Sequence, residues 1–205
     1  MDSKGKLIVI EGLDGSGKAT QTAELTQRFM QNYPKVKHIS FPNYSNPSSA
    51  LVKMYLGGEL GSSPDDVNAY AASSFYAVDR YASFKQFWEE DYNNGSIIIA
   101  DRYTTSNAIY QLSKVANREK PSFLHWLDTY EYKQLQLPKP DAVIYLDMPV
   151  EVSQQLLAKR YNGDENKKDL HEKNFDFLKE CRISALYAAQ ILNWDVVSCA
   201  KDGKP

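Results

Sequence analysis

The sequence predicts an α/β fold, a five-stranded parallel sheet covered by helices on both faces. Two observations carry this. Short apolar runs of strand length alternate with longer segments of helical period, the order of a parallel sheet with crossover helices. The first of those runs passes straight into a glycine-rich turn and then a helix. The length of 205 residues suits a single domain, 1–205, with a full core.

Taken in order, residues 6–11 read as a buried central strand and residues 18–32 as a helix with Thr22, Leu25, Phe29 and Met30 on its inner face. Val36 to Phe41 is a second strand, stopped by Pro42. Ser48 to Leu56 is a short helix ending at Gly57-Gly58. Ser63-Pro64-Asp65-Asp66 combines a capping serine, a first-turn proline and acids near the positive helix end, and predicts a helix running to about Asn93. Its expected inner stripe is Val67, Tyr70, Ala71, Phe75, Val78 and Ala82. Ile97 to Asp101 is a third strand, and 105–115 and 122–135 are helical. Ala142 to Leu146 is a fourth strand, 150–161 a helix, 175–192 a helix and 194–198 a last strand. Between the last two helices lies a charged, glycine-containing run, about 159–173.

The net charge of −2 argues against a nucleic-acid or membrane-surface protein. No apolar run approaches a membrane span, and Lys4 and Lys6 are followed by too few apolar residues for a secretory leader. Cys181 and Cys199 have no metal-ligand spacing and read as reduced thiols of a cytoplasmic protein. His38, His125 and His171 show no partner pattern and read as structural or surface residues.

Gly12-Leu13-Asp14-Gly15-Ser16-Gly17-Lys18 has the G-x-x-x-x-G-K spacing of a phosphate-binding loop. Its glycines let the backbone wrap a phosphate, and the following helix adds its positive end. Lys18 supplies a point charge for the outer phosphates. The next position is Ala19, which has no hydroxyl for magnesium, and Thr20 lies a residue too late to replace it. Asp101 ends an apolar strand, with Arg102 beside it, a setting suited to a metal–phosphate site or to an ordinary ion pair. Tyr76 and Arg80 share a helix face, as do Asn107, Tyr110 and Gln111, and either set suits base recognition or plain packing. Ligands of such sheets bind beyond the carboxyl ends of the strands, so 12–18, 41–44, 101–103 and the tail after Ser198 are expected on one rim.

These motifs together resemble the thymidylate kinases, P-loop nucleoside-monophosphate kinases. The resemblance spans nearly the whole chain and rests on the loop, Phe41-Pro42, Tyr76-x-x-x-Arg80, Asp101-Arg102-Tyr103, Ser106-Asn107-x-x-Tyr110-Gln111 and Pro140-Asp141 before the strand ending Leu146-Asp147. It implies a P-loop NTPase-type three-layer fold and transfer of phosphoryl from ATP to dTMP, giving dTDP and ADP. The ATP site is then Gly12, Leu13, Asp14, Gly15, Ser16, Gly17, Lys18, Ala19 and Thr20. The dTMP site is Asp14, Phe41, Tyr76, Arg80, Arg102, Asn107, Tyr110 and Gln111, with Tyr76 stacking on thymine and Tyr110 favouring deoxyribose. Asp14, Lys18 and Arg102 are the implied catalytic residues. Run 159–173 is the implied lid, with Arg160, Lys167 and Lys168 as its cations. Mg²⁺ is the implied cofactor, held by Asp14 and Asp101, with Asp169 and Glu172 as a further source of ligands. A homodimer is also implied.

The chain departs from the family pattern at Ala19, at Tyr44 where many relatives carry a clamp arginine, and at Lys167 and Lys168 where arginines are common. It also ends soon after the last strand, where relatives add a helix beyond an adenine loop, here about Ala200 to Gly203. Two alternatives stay open on the sequence: a kinase for another deoxynucleoside monophosphate, or a nucleotide-binding protein with little transfer activity.

Overall fold

The computed structural model describes residues 4–201 and 203. Five strands form one parallel sheet: β1 (Lys6–Gly12), β2 (Val36–Ser40), β3 (Ile97–Asp101), β4 (Ala142–Asp147) and β5 (Asp195–Ser198). Their order is β2-β3-β1-β4-β5. β1 is central because its Leu7, Val9 and Ile10 are apolar enough to be covered on both faces. Register brings the strand ends level. Asp101 pairs with Ile10 and with Ser40, and Gly12 with Leu146. The loops that follow β1, β2 and β3 therefore open on one edge.

Helix α1 (Lys18–Asn32) follows the first loop. It buries Thr22 and Thr26, with Leu25 and Phe29 half-buried. Met30, expected inside, is 55% exposed, since it lies past the stripe by a further helical step. A short helix α2 (Ala50–Leu56) follows β2.

The segment expected as one long helix from Ser63 is divided. Ser63 caps only a 3₁₀ turn, Pro64–Asp66, through a full capping box with Asp66. The chain then extends at Val67, and Asn68 caps the true helix, α3 (Ala69–Ser83). A turn of π geometry, Phe84–Trp88, joins it to α4 (Glu89–Asn93). The stripe expected inside is the outer one, with Tyr70 45% and Val78 49% exposed and Phe75 half-buried. The buried face of α3 instead carries Ala72, Ser73, Ala77, Asp79 and Arg80. Small residues let the helix pack closely, and the charged ones find partners there: Asn43 N–H and Ser48 Oγ donate to Asp79, and Arg80 pairs with Glu131.

Segment 105–115 also divides, into α5 (Asn107–Tyr110) between 3₁₀ turns Thr104–Ser106 and Leu112–Lys114. Helix α6 (Lys120–Leu127) runs on as a π-geometry segment, Asp128–Gln134. α7 (Val150–Arg160) and α8 (Phe175–Leu192) flank the charged run. The main core gathers Leu7, Val9, Ile98, Trp88, Tyr103, Phe123, Tyr145 and Leu178. β5 is an edge strand with Val196 and Val197 exposed. Among the described residues no helix is long and apolar enough to cross a membrane.

Candidate active site

A cavity of about 760 Å³ opens at the carboxyl edge of the sheet. One end is the glycine loop. Gly15 lies at φ +79°, and a Cβ there would meet the Ser153 carbonyl oxygen at 2.5 Å. Gly17 lies at φ +85° and is the N-cap of α1. α1 has no side-chain cap and no acid in its first turn, so its positive end stays available to an anion. Lys18 is buried and curls back to donate to the Leu13 carbonyl at 2.8 Å. Burial, with Arg102 nearby, lowers its pKa to about 8. The hydroxyl of Ser16 is buried without a hydrogen-bond partner.

Arg102 faces the loop from the end of β3. It holds a left-handed backbone, φ 66°, uncommon for a residue with a side chain. The turn is braced by Glu11, fully buried on β1. Glu11 Oε1 accepts from the Tyr103 backbone N–H at 3.2 Å, from Thr105 Oγ1 at 2.6 Å and from Ser106 Oγ at 2.8 Å. The Arg102 guanidinium donates to Asp14, and Tyr110 Oη donates to the other Asp14 oxygen at 2.9 Å. Burial works against the Asp14 anion, but Arg102 and Lys18 outweigh it and hold this carboxyl well below the usual range.

The far end is lined by Phe41, Tyr76, Arg80, Asn107, Tyr110 and Gln111. Arg80 is 2% exposed and forms a two-pronged ion pair with Glu131, at 2.8 Å from Nε and 2.6 Å from Nη2. Asn107 Nδ2 donates to the same carboxylate at 2.9 Å and to the Ser73 carbonyl at 3.3 Å. Tyr76 meets Tyr55 edge-on. Both amide atoms of Gln111 are buried without a well-formed hydrogen bond, as expected of a group aimed at a ligand.

The charged run forms the cavity's outer wall. Arg160 and Lys167 line it, while Lys168 Nζ donates to Gln154 Oε1 at 3.0 Å and Lys168 is absent from the lining. Asp169 and Glu172 also face in. Burial and the Asp14 charge push the Asp169 carboxyl up to about 7. Asp101 and Tyr44 complete the rim, and Tyr44 is half-exposed.

The three loops expected together, after β1, β2 and β3, do meet here. Gly12, Leu13 and Ser16 are buried beneath the lining rather than part of it. The described residues after Ser198, 199–201 and 203, do not line the cavity, and Asp202 of the expected adenine loop lies outside the described residues.

Five participants were missed in the sequence. His171, read as structural or surface, is buried in the cavity wall, where its Nε2 lies 2.9 Å from Tyr55 Oη. Lys114 Nζ donates to the same phenol at 2.7 Å. Tyr55 and Glu131 join elements far apart in the chain, and nothing in local spacing marks either. Glu11 did carry a signal, an acid inside an apolar strand run.

Comparison with known proteins agrees with this geometry. The family model described as Thymidylate kinase matches residues 10–202. A thymidylate kinase of Mycobacterium tuberculosis is 29% identical over 184 residues, 89% of this chain and 84% of that protein. One of Caenorhabditis elegans is 30% identical over 161 residues, 74% of this chain and 67% of that protein. The solved thymidylate kinase of Candida albicans superposes with a TM-score of 0.66 at 25% identity, covering 95% of this chain and 84% of that one.

Proposed function

The chain belongs to the thymidylate kinase family, and from that premise we propose the part each cavity residue plays in a nucleoside-monophosphate kinase. The reaction moves phosphoryl from ATP to dTMP, giving dTDP and ADP. A single observation carries the assignment of roles. One cavity is lined at one end by Asp14, Gly15, Gly17 and Lys18 and at the other by Tyr76, Arg80, Asn107, Tyr110 and Gln111, with Arg102 between.

The loop 12–20 binds the donor phosphates through its N–H groups and Lys18. Tyr76 stacks on the thymine ring, Arg80 and Asn107 meet its polar edge, and Phe41 packs beside it. Tyr110 crowds the sugar, and Gln111 turns its buried amide to the nucleotide. Arg102 reaches both phosphates, exchanging part of its pairing with Asp14 for the transferring group. The acceptor phosphate is itself the nucleophile, so these residues act by alignment and charge neutralisation rather than proton transfer. Arg160, Lys167 and Lys168 belong to the lid, whose closure excludes water.

Asp14 and Asp101 would hold Mg²⁺, with Asp169 and Glu172 beside them. Asp14 and Asp101 both line the cavity, but among the described residues no three acidic, histidine or cysteine side chains gather as a metal cage, so the nucleotide phosphates would complete the coordination. Bound there, Mg²⁺ supplies charge neutralisation on the phosphates. Ala19 leaves no hydroxyl for it.

The enzyme works as a homodimer in the cytoplasm. The dimer is supported by the outward apolar stripe of α3, Tyr70, Val78 and Tyr81, each more than 40% exposed on one helix. The compartment is supported by the two thiols, Cys181 and Cys199, both unpaired.

An ADP-release assay with ATP, Mg²⁺ and a panel of monophosphates tests the reading. Turnover with dTMP well above dGMP, dCMP and ribose TMP is the expected result. A better acceptor among the others overturns the dTMP assignment, and silence across the panel with ATP bound overturns the kinase roles.

A further inference from the structure

We propose that Glu131 is a specificity-determining residue, which orients Asn107 and Arg80 so that the cavity accepts a keto–imide base edge and rejects an amino one. The inference rests on the acceptor site proposed above and adds the group that sets its hydrogen-bond pattern.

The argument is one of donors and acceptors. Asn107 Nδ2 faces two acceptors, the Ser73 carbonyl and Glu131 Oε1. Neither has a hydrogen to give, so the amide nitrogen must be the atom on that side. Asn107 is left with Oδ1, a pure acceptor, for the cavity it lines. Glu131 also takes Nε and Nη2 of Arg80, and Nη1 reaches the Tyr103 carbonyl at 3.4 Å. A guanidinium has five N–H donors, so Arg80 keeps donors in reserve but no acceptor. The wall therefore offers an acceptor beside a donor. Thymine and uracil present the complement, N3–H beside O4. Cytosine presents the reverse, a bare N3 beside an amino group.

Glu131 holds both halves of this pattern and is itself 1% exposed, shielded from the cavity by the residues it orients. It belongs to the Asp128–Gln134 segment and ties α3 to α5. Arg80 keeps its charge in this buried place because the carboxylate lies against it.

The test is the ratio of kcat/KM for dTMP to that for dCMP, acceptors of the same ring size and opposite edge. Glu131→Gln sets an amide nitrogen against an N–H of Arg80 whichever way it turns, so one prong of the pair is lost and the guanidinium is no longer held at the base edge. The ratio is expected to fall by about tenfold or more, through KM more than kcat. Glu131→Asp keeps the charge with a shorter reach and is expected between the two. Melting temperatures identify the folded variants. A folded variant, of either kind, that discriminates as wild type does overturns the proposal and leaves Glu131 a structural pillar. Wild-type enzyme that turns over neither dTMP nor dUMP overturns the acceptor site itself, a failure visible before any variant is made.

Discussion

The imidazole of His171 lies parallel to the ring of Tyr110, with centroids 5.4 Å apart and planes 12° apart. Its Nε2 is tied to Tyr55 Oη, and the next residue back, Leu170, donates its N–H to the Leu56 carbonyl at 3.2 Å. The end of the charged run is thereby fastened both to α2 and to the Tyr110 ring proposed to face the acceptor sugar. His171→Ala releases Tyr110, and the KM for dTMP is expected to rise by about threefold to tenfold, the worth of one stacked pair. His171→Phe restores the stack and most of the affinity. Steady-state kinetics on both variants check this; equal KM values for wild type and Ala refute the clamp.

Lys18→Ala removes the loop cation that now rests on the Leu13 carbonyl. A group that acts on the transferring charge changes rate more than acceptor binding. Turnover is expected to drop by about 100-fold to 1000-fold, with calorimetric binding of dTMP nearly unchanged.

Arg80→Ala has two effects rather than one. Taken from the family resemblance, the change mainly raises the acceptor KM. The ion pair with Glu131, both partners all but fully buried, adds a second cost, because the variant strands a buried carboxylate. Stability in urea is expected to fall by about 3–5 kcal/mol. Replacing both residues with methionine recovers most of that stability and leaves the raised KM, which separates the two roles.

Lys114 gives a pH dependence of known sign. Its burial lowers the pKa from 10.5 to about 8, with Asp65 and Cys181 acting the other way. Between those values the unfolded chain binds more protons than the folded one, so stability rises with pH there. The penalty is full below about pH 8 and gone above about 10.5. Urea titrations at pH 7, 9 and 10 are expected to show wild type gaining on Lys114→Met as pH rises. A constant gap refutes it.

Val78→Asp places a charge at the centre of the outward α3 stripe. Sedimentation is expected to show a monomer in place of the dimer proposed for the wild type, with the melting temperature lowered by mass action. An unchanged sedimentation coefficient moves the interface elsewhere.

Much of this was legible in the chain. The strand boundaries followed from apolar runs, and Gly15 and Gly17 carry a backbone requirement that local spacing reveals. The misread parts share one cause, that helical period identifies an apolar face but not what covers it. The stripe of Tyr70 and Val78 has the period of a core face and points outward, while the true inner face of α3 is built from alanines, a serine and charged residues. The π-geometry segments at 84–88 and 128–134 shift that period midway, so helices read as uniform were not. Glu131 and His171 escaped because their meaning lies in partners 51 and 116 residues away.

Glu11 bonds the turn that carries Arg102, and Gly12, the next residue on the same strand, begins the loop that carries Lys18. Lys18 and Arg102, the two cations proposed to straddle the travelling phosphoryl group, are therefore spaced by one strand and one carboxylate, like the jaws of a caliper locked at a single setting. The parts proposed to read the base, on α3, α5 and the segment 128–134, hang from other elements. Acceptor choice can drift through substitutions there while the gap across which phosphorus travels keeps its width.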